Sequence, residues 1–485
     1  MQKIETLTIV GGGTAGLISA LILKKRFNNY KIKIVKSDNI GIIGVGEGST
    51  EHFKEFMDYV GIDHKDLITK ADATIKLGVY FDGWTENPYY HNVTEPFYQK
   101  TKLGQYLGAY GMAHTLGLDQ LETTDKSCNT NSFYVPYGES PTKQFHFNTF
   151  KLNSFLVNLC MKRGIEIIID DIKDVIVGED GIQKIVGEKE DYYSDFFIDC
   201  TGFKRSLIGK LGAKWQSYGD SLKMKQALAF QTPDTPEYNT YTLAKALNAG
   251  WLWRIPTYGR YGNGYIYDSD YINEDQAVEE IEKIFGKVEI LRNIKFDPGK
   301  IDNTWIKNCM AIGLSANFVE PMEATSIGTA INQTFMFMHY ANNYTPNDII
   351  DYNNKVNYMM TNVRDFVLLH YFVQRQGKFW EDMQNIKIPD SLEHKLLKWK
   401  NRLPILEDFT ETNFLLFFEH NFTSILYGLG MLNDSHKEEF KSQAGDLRSF
   451  VLSHLETHLK QTTTNKRIGH REYLDKIRNE DSFTK

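Results

Sequence analysis

The segment Ile4-Glu-Thr-Leu-Thr-Ile-Val-Gly-Gly-Gly-Thr-Ala-Gly16 decides the fold class of this 485-residue chain. Residues 4–10 are apolar enough to predict a buried strand, and the pattern from Leu17 to Phe27 predicts a helix. The segment from Lys31 to Val35 predicts a second strand, which completes one β-α-β unit. The glycine-rich turn therefore lies between a strand and a helix, the context that a dinucleotide-binding site requires.

The spacing Gly11-x-Gly13-x-x-Gly16 assigns a physical role to each glycine. Gly11 permits the tight turn, Gly13 lets the backbone approach a pyrophosphate, and Gly16 allows the helix to pack closely on the strand. Thr14 and Ala15 open the helix, whose N-terminal amides and dipole attract phosphate. We therefore expect a dinucleotide cofactor at this turn.

The end of the second predicted strand departs from the usual pattern of such sites. An acidic residue usually stands there and holds the ribose hydroxyls. This chain has Lys36 at that position, followed by Ser37 and Asp38. Either Ser37 or Asp38 binds the ribose, or Lys36 contacts it differently, and the sequence leaves these alternatives open.

Length and charge restrict the organisation of the chain and its partners. A chain of this length predicts two or three domains or subdomains. We expect a nucleotide-binding domain with an inserted sheet region over 1–340 and a mostly helical C-terminal cap over 341–485. The net charge of −7 and the lack of a basic stripe disfavour a nucleic acid partner. The polar residues 461–485 are expected to fray.

Cysteine spacing and hydropathy indicate the compartment. The four cysteines lie far apart, without a Cys-x-x-Cys pair or a histidine at ligand spacing, which argues against a metal site and against disulfides. This usage indicates a reducing compartment, and we expect the cytoplasm. No segment reaches about 18 uninterrupted apolar residues, so no membrane span is predicted.

Two tryptophans stand two positions apart in Gly250-Trp-Leu-Trp-Arg-Ile-Pro256. On a strand, Trp251 and Trp253 point to the same face because side chains alternate, and Pro256 is expected to end the strand. By itself such a pair is most often core packing. Beside a flavin it would instead form a rigid wall that keeps organic substrate away from the reactive flavin carbon.

Several further segments resemble the flavin-dependent halogenases, the group typified by tryptophan halogenases. The segment 42–50, Ile-Ile-Gly-Val-Gly-Glu-Gly-Ser-Thr, is similar to the flavin strap of that family. The tryptophan segment resembles a family signature, and so do the segments 197–203 and 313–327. These matches follow in order over residues 5–330 and become looser beyond about 340.

The resemblance implies an α/β fold, in which an FAD-binding Rossmann-like domain carries an associated β-sheet substrate region and a mostly helical C-terminal cap. It also implies which residues hold FAD. In addition to the glycine turn these are Lys36, Ser37, Gly44, Val45, Gly46, Glu47, Gly313, Leu314 and Ile327.

The resemblance further implies the catalytic residues Lys76 and Glu323. Without the family, Lys76 would be interpreted as an exposed edge residue and Glu323 as a carboxylate that favours a helix start. Thr325 and Ser326 match positions whose backbone amides hold halide in the family, as a helix N-terminus suits a small anion. Ala324 replaces the serine that usually follows the glutamate, so a hydrogen-bond relay through that serine is absent or rerouted. Ser326 replaces a glycine common in tryptophan halogenases.

In the implied mechanism, FADH2, O2 and halide produce hypohalous acid, which travels through the protein to Lys76. Lys76 either holds the acid by a hydrogen bond or becomes a haloamine, and the second route requires a neutral amine. An electron-rich aromatic carbon then attacks the halogen in an electrophilic aromatic substitution. Glu323 polarises the oxidant or removes the ring proton. Trp251 and Trp253 separate the flavin from the substrate.

Partner and substrate follow less directly from the residues. The chain has no second glycine fingerprint for a nicotinamide, so we expect a separate reductase to supply FADH2. His91 and Phe97 either line a substrate pocket or are ordinary loop packing, and packing is favoured. The aromatic residues of 417–422 are expected to be core. Because no aromatic clamp for free tryptophan is evident, our hypothesis is a phenolic or indolic substrate other than tryptophan. The sequence does not indicate which halide is used, but bromide and iodide are easier to oxidise than chloride, so the chemistry alone favours them.

Two other functions remain open at this level. A flavin monooxygenase that hydroxylates an aromatic would share the nucleotide site, but it needs neither the tryptophan pair nor Lys76 and Glu323. A catalytically inactive FAD-binding protein is the other alternative. The substitutions Lys36, Ala324 and Ser326 favour that alternative slightly, whereas retention of Lys76 and Glu323 argues against it.

Overall fold

The computed structural model describes residues 3–41, 47–92, 131–135, 140–410, 412–436, 438 and 467–482. The predicted glycine turn belongs to a six-stranded sheet, which is parallel except for one short edge strand. In spatial order the strands are Trp305–Ile306, Cys309–Ala311, Phe196–Asp199, Thr6–Val10, Lys31–Lys36 and Glu166–Ile169. The first helix, Thr14–Arg26, packs between the sheet and the helices Thr149–Lys162 and Thr325–Phe337.

A seven-stranded mixed sheet forms the second layer of the molecule. Its strands in spatial order are Ile290–Lys295, Gln226–Pro233, Arg260–Tyr267, Gly250–Thr257, Tyr241–Leu247, Gly78–Asp82 and Tyr89–Asn92. The tryptophan strand, Gly250–Thr257, lies at its centre and is almost entirely buried. It extends past Pro256 to Thr257, so the expectation that Pro256 ends the strand was wrong.

A small three-stranded sheet joins these two layers. Its central strand, Gln144–Phe147, pairs on one side with Glu47–Gly48 and on the other with the lysine strand, Thr74–Lys76. The remaining strands are Ser132–Phe133, Ile172–Gly178, Gly181–Gly187, Asp191–Tyr192, Trp215–Ser217, Gly299–Ile301, Asn317–Phe318 and Ile468–Gly469. The small sheet therefore places Gly48, the neighbour of the predicted strap residue Glu47, against Lys76: a Cβ on Gly48 would lie 3.7 Å from Cδ of Lys76.

The C-terminal part is mostly helical, as predicted. Its helices are Pro346–Leu369, Lys378–Gln384, Asp390–Lys398, Glu419–Gly428 and the terminal helix His470–Ser482. Outside the C-terminal part, the α-helices not yet mentioned that the described residues form are His52–Val60, His64–Lys70 and Glu274–Phe285. The aromatic side chains of Phe417 and Phe422 are buried, which confirms the expectation of core packing.

The terminal helix, His470–Ser482, corrects the expectation of fraying for the described part of residues 461–485, and 461–466 and 483–485 lie outside the described residues. Tyr473, Leu474 and Ile477 are buried, and they repeat at helical spacing along one face. Nε2 of His470 accepts a hydrogen bond of 2.9 Å from the backbone N–H of Ile75, beside Lys76. This polar segment thus packs against the lysine strand.

Two predicted boundaries in the region 304–340 were wrong. The segment predicted as one strand over Thr304 to Leu314 is two short antiparallel strands, because Lys307 turns the chain with φ of 53°. The helix predicted from Glu323 begins at Thr325, since Glu323 and Ala324 have φ of 61° and 56°. Both angles lie in the left-handed region, which a right-handed helix cannot contain.

Candidate active site

One cavity of about 840 Å³ connects the glycine turn with the predicted catalytic pair. Most of the residues predicted from the sequence line it. These are Gly11, Gly13, Thr14, Ala15, Lys36, Ser37, Glu47, Lys76, Trp251, Trp253, Gly313, Leu314, Glu323, Ser326 and Ile327. The predicted strap residues Gly44, Val45 and Gly46, and also Phe97, lie outside the described residues.

The glycine turn has the geometry that a pyrophosphate needs. Gly11 has φ of 120°, and a Cβ there would lie 2.1 Å from the carbonyl oxygen of Cys200. A Cβ on Gly16 would lie 2.1 Å from the carbonyl oxygen of Gly11, so any larger residue would push the helix off its strand. Gly13 precedes the helix, and a Cβ there would meet nothing within 4 Å. This open approach to a helix N-terminus fits a dinucleotide phosphate.

The end of the cavity beside Lys36 contains an acidic residue that the sequence analysis missed. Lys36 packs over Gly12 and pairs with Asp38 at 2.8 Å. Asp171 follows the neighbouring strand and lines the cavity together with Ser37. Hydrogen bonds from Ser37 and Asn39 lower the pKa of Asp171. No local pattern signals this residue, because only the sheet order brings it to the end of the Lys36 strand.

Lys76 is buried, so it is not the exposed edge residue that its sequence context alone would indicate. Its side chain is 1% exposed, and Nζ donates a hydrogen bond of 3.0 Å to the carbonyl oxygen of Ser49. Burial lowers the pKa of Lys76 to about 8, although the charge of Glu323 opposes that shift. An amine with this pKa is partly neutral near physiological pH, which suits nucleophilic or hydrogen-bonding chemistry.

Glu323 is a buried carboxylate contacted by two histidines. Its Oε1 accepts a hydrogen bond of 2.7 Å from Nδ1 of His91, and Nε2 of His370 lies 3.4 Å from the same oxygen. Burial raises the pKa of Glu323, but His91 and His370 together outweigh burial and hold that pKa well below its ordinary value. Glu323 is therefore ionised at neutral pH. His91, for which loop packing was favoured, lies on the strand Tyr89–Asn92 and contacts this carboxylate.

The two predicted halide residues begin the helix Thr325–Phe337. Ser326 lines the cavity, and Thr325 is buried next to it. The first N–H groups of a helix have no acceptor within the helix and carry its positive dipole end. This helix start, directly after Glu323, is suited to a small anion.

The two tryptophans lie side by side in the cavity wall. Trp251 and Trp253 are 2% and 8% exposed, and their ring centroids are 6.2 Å apart. A Cβ on Gly264 would lie 2.1 Å from the Trp253 ring, so the opposite strand needs glycine there. Trp251 Nε1 donates to Oε1 of Glu320 at 3.3 Å, as does the Tyr371 hydroxyl at 2.6 Å. The indoles are therefore held rigidly.

Comparison with known proteins agrees with this geometry. The family model described as tryptophan halogenase matches residues 6–444. The 7-chloro-L-tryptophan 6-halogenase of Kutzneria sp. (strain 744) is 31% identical over 83% of this chain and 86% of its own. The tryptophan 6-halogenase of Streptomyces toxytricini is 30% identical over 83% of this chain and 85% of its own.

The chain belongs to the tryptophan halogenase family.

Solved structures of flavin-dependent halogenases have the same fold. The enzyme from Xanthomonas campestris superposes with a TM-score of 0.87 at 28% identity, covering 98% of this chain and 99% of its own. The enzyme from Brevundimonas sp. BAL3 superposes with a TM-score of 0.85 at 26% identity, and the match covers 98% of this chain and 99% of its own. The protein is thus a flavin-dependent halogenase, and the hydroxylating monooxygenase weighed above finds no support among these relatives.

The described residues of the halogenase contain neither a metal site nor a membrane-spanning helix. Across the described residues, His, Cys, Asp and Glu side chains form no group of three or more that could hold a metal ion. In the same part of the chain, no helix combines the length and the apolar character needed to cross a bilayer.

Proposed function

We propose that the cavity binds FAD, received as FADH2 from a separate reductase, and that Lys76 delivers the oxidised halogen to an electron-rich aromatic ring. One observation carries this proposal. Lys76 and Glu323 are buried in the same cavity that begins at the glycine turn, and Trp251 and Trp253 line it. The bound flavin supplies the chemistry that oxidises halide with O2. The residues of this chain bind the halide, transfer the halogen and remove the ring proton.

The start of the helix Thr325–Phe337 supplies the halide site in this proposal. Its free N–H groups at Thr325 and Ser326 hold the anion without a counter-charged side chain. The hypohalous acid formed there reaches Lys76. The ammonium form of Lys76 holds its oxygen by a hydrogen bond, whereas the neutral form exchanges an N–H hydrogen for halogen and releases water.

Glu323 is proposed as the general base of the second step. Its carboxylate is ionised because His91 and His370 face it, so it accepts the proton that the halogenated ring must lose. Asp171 and Ser37 are proposed to bind the adenosine ribose, since both line that end of the cavity where Lys36 replaces the usual acid.

The substrate is proposed to be a phenol or an indole. The curated relatives are named for tryptophan or 7-chloro-L-tryptophan. This chain differs from the family pattern at Ala324 and Ser326, next to the proposed base. A panel of phenols, indoles and free tryptophan tests the proposal, and strong selectivity for free tryptophan would exclude our hypothesis of a different ring.

The proposed function is tested with purified protein, FAD, NADH, an added flavin reductase and each halide in turn. We expect a product whose mass shows hydrogen replaced by halogen, and no product without the reductase. Lys76→Ala and Glu323→Gln should reduce product formation by about a hundredfold or more while FAD still binds. The surface variant Lys70→Ala is the matched control. Addition of oxygen in place of halogen, or full activity of Lys76→Ala, would contradict the proposal.

A further inference from the structure

Asn421 connects the helical C-terminal part to the proposed base. It lies on the helix Glu419–Gly428 and is buried against His91, which is itself 1% exposed. Asn421 Nδ2 lies 3.2 Å from Nε2 of His91, and Nδ1 of His91 lies 2.7 Å from Oε1 of Glu323. Asn421 has no function in the halogenation chemistry described so far, and His91 has only that of keeping Glu323 ionised.

The orientation of the Asn421 amide follows from its other partner. Asn421 Oδ1 accepts a hydrogen bond of 2.8 Å from the backbone N–H of Phe418. A backbone N–H can only donate, so the oxygen of the amide must face it. The amide nitrogen, Nδ2, therefore faces Nε2 of His91 and donates to it.

This orientation determines where His91 carries its proton. Because Asn421 Nδ2 has only hydrogens to offer, Nε2 of His91 must be an unprotonated acceptor. The single ring proton is then on Nδ1, which donates to Oε1 of Glu323. The other nearby ring, His370, has its Nδ1 directed to the carbonyl oxygen of Phe366 at 2.8 Å.

We propose that Asn421 is a positioning residue that holds His91 as the neutral Nδ1–H tautomer, so that His91 orients Glu323 without adding a charge. The inference rests on the proposed function, in which Glu323 is the general base. It also gives the hydrogen-bond relay a route in a chain that has Ala324 in place of serine. The route runs through His91 and Asn421.

A neutral His91 favours base catalysis for a physical reason. The neutral tautomer lowers the pKa of Glu323 only through its Nδ1–H hydrogen bond, whereas an imidazolium would add a charge that lowers this pKa further and makes the carboxylate a weaker base. Protonation of His91 at Nε2 would force the Asn421 amide to turn and abandon the N–H of Phe418. The titratable groups that face Glu323 from the surrounding elements are Lys76, Tyr89, His91 and His370, and His420 faces His91.

The tautomer is measured directly by NMR of protein with 15N-labelled histidine. The His91 signals are assigned as those missing from His91→Gln. We expect a protonated Nδ1 and an unprotonated Nε2 between pH 6.5 and 8. A proton on Nε2 would overturn the inference. Because this readout needs no turnover, it stands even if Glu323→Gln retains full activity, a result that would instead contradict the proposed function.

The effect on chemistry is measured with Asn421→Asp, which replaces the donor by an acceptor. We expect His91 of this variant to carry both protons at pH 7 and kcat to fall about tenfold or more, a part of what a general base contributes. KM for the aromatic substrate and the Kd for FAD should stay within about twofold.

Asn362→Asp is the matched control for Asn421→Asp. Asn362 is also a buried amide, and it bonds both backbone groups of Phe417 without touching a histidine. It should leave the His91 signals and kcat within about twofold of wild type. An Asn421→Asp protein with an unchanged His91 and an unchanged kcat would overturn the inference, and if it does not fold, the wild-type NMR result decides.

Discussion

At the residue scale, burial brings the pKa values of one lysine and two glutamates near the active site to between about 7 and 8. Burial lowers the pKa of Lys76 to about 8, and it raises the pKa of Glu320 to about 8 and that of Glu47 to about 7. The direction differs because burial always disfavours the charged form, which is the acid form of lysine and the base form of glutamate. Glu323 escapes this effect because two histidines face it.

Lys76→Met should stabilise the protein while it abolishes halogenation. The pKa of the folded form is about 8 and that of a free lysine 10.5, so the unfolded chain binds more protons between these values. The contribution of Lys76 to stability therefore rises with pH across that window, and it is least favourable below pH 8. The variant should gain up to about 3 kcal/mol in the free energy of unfolding at pH 7, and less at pH 9.5.

Urea unfolding of the FAD-free protein at both pH values measures this gain. Lys70→Met, at a surface lysine, should change the free energy of unfolding by less than about 0.5 kcal/mol. A Lys76→Met protein less stable than the wild type at pH 7 would show that the amine is not penalised by burial.

Glu320→Gln should remove a pH dependence of stability. Trp251 and Tyr371 both donate to Oε1 of Glu320, and Oε2 has no partner in the described structure, so no hydrogen bond stabilises a charge on Oε2. Because the folded pKa of about 8 lies above the ordinary 4.5, the folded state binds more protons between these values. Wild-type stability should therefore fall as pH rises through this window, by up to about 4 kcal/mol at pH 8.

The glutamine side chain keeps both hydrogen bonds and does not ionise. We expect the Glu320→Gln protein to be the more stable at pH 8 and similar to wild type at pH 5, as measured by urea unfolding. Glu393→Gln, at an exposed position, should show the wild-type pH dependence. An equal fall in stability for Glu320→Gln and wild type would contradict the prediction.

At the scale of elements, the helix Thr325–Phe337 begins after two strained residues. Glu323 and Ala324 both have positive φ, which costs about 1 kcal/mol or more for each non-glycine residue. Strain of this kind persists where surrounding contacts enforce it, and here it places the carboxylate and the first helical amides in one cavity. The helix start is thus positioned by packing and not by a capping side chain.

Ser326→Pro should impair halide binding, because it removes one N–H from the helix start while proline remains tolerated in a first turn. We expect KM for bromide to rise at least about tenfold, with little change in the Kd for FAD. Ser326→Ala keeps the amide and should retain the wild-type KM for bromide. Equal bromide dependence in Ser326→Pro and Ser326→Ala would exclude the amide of Ser326 from the halide site.

At the scale of the whole molecule, one hydrophobic core crosses the boundary predicted at residue 340. The same buried cluster contains Leu17 and Ile331 from the first part and Val356, Phe366 and Ile477 from the second. The proposed base Glu323 is likewise contacted by His91 from one part and His370 from the other. The division into 1–340 and 341–485 stays a prediction.

The fragment 1–340 should therefore fail to fold when expressed alone, because it would expose the core face that the helices Pro346–Leu369 and Glu419–Gly428 cover. Near-ultraviolet circular dichroism and the dispersion of methyl NMR signals measure this, with the full chain as control. A fragment with native-like dispersion that binds FAD would instead establish two independent domains.

The sequence by itself determined the nucleotide turn, the buried first strand, the helical C-terminal part and the family. Glycine spacing and the alternation of strand and helix are local patterns, and each local pattern is set by neighbours a few residues away. Lys76, Glu323 and the tryptophan pair could be predicted because their surrounding segments resemble those of a family.

Only the tertiary structure decided which groups meet those residues. The hydrogen bond between His91 and Glu323 joins residues that are 232 positions apart in the sequence. The separation is 330 positions for Asn421 and His91, and it is 395 positions for Ile75 and His470. Asp171 reaches the end of the cavity beside Lys36 through sheet order alone. Hydrogen bonds across such separations depend on how the sheets and helices are arranged in space, and no periodicity within one segment carries that information.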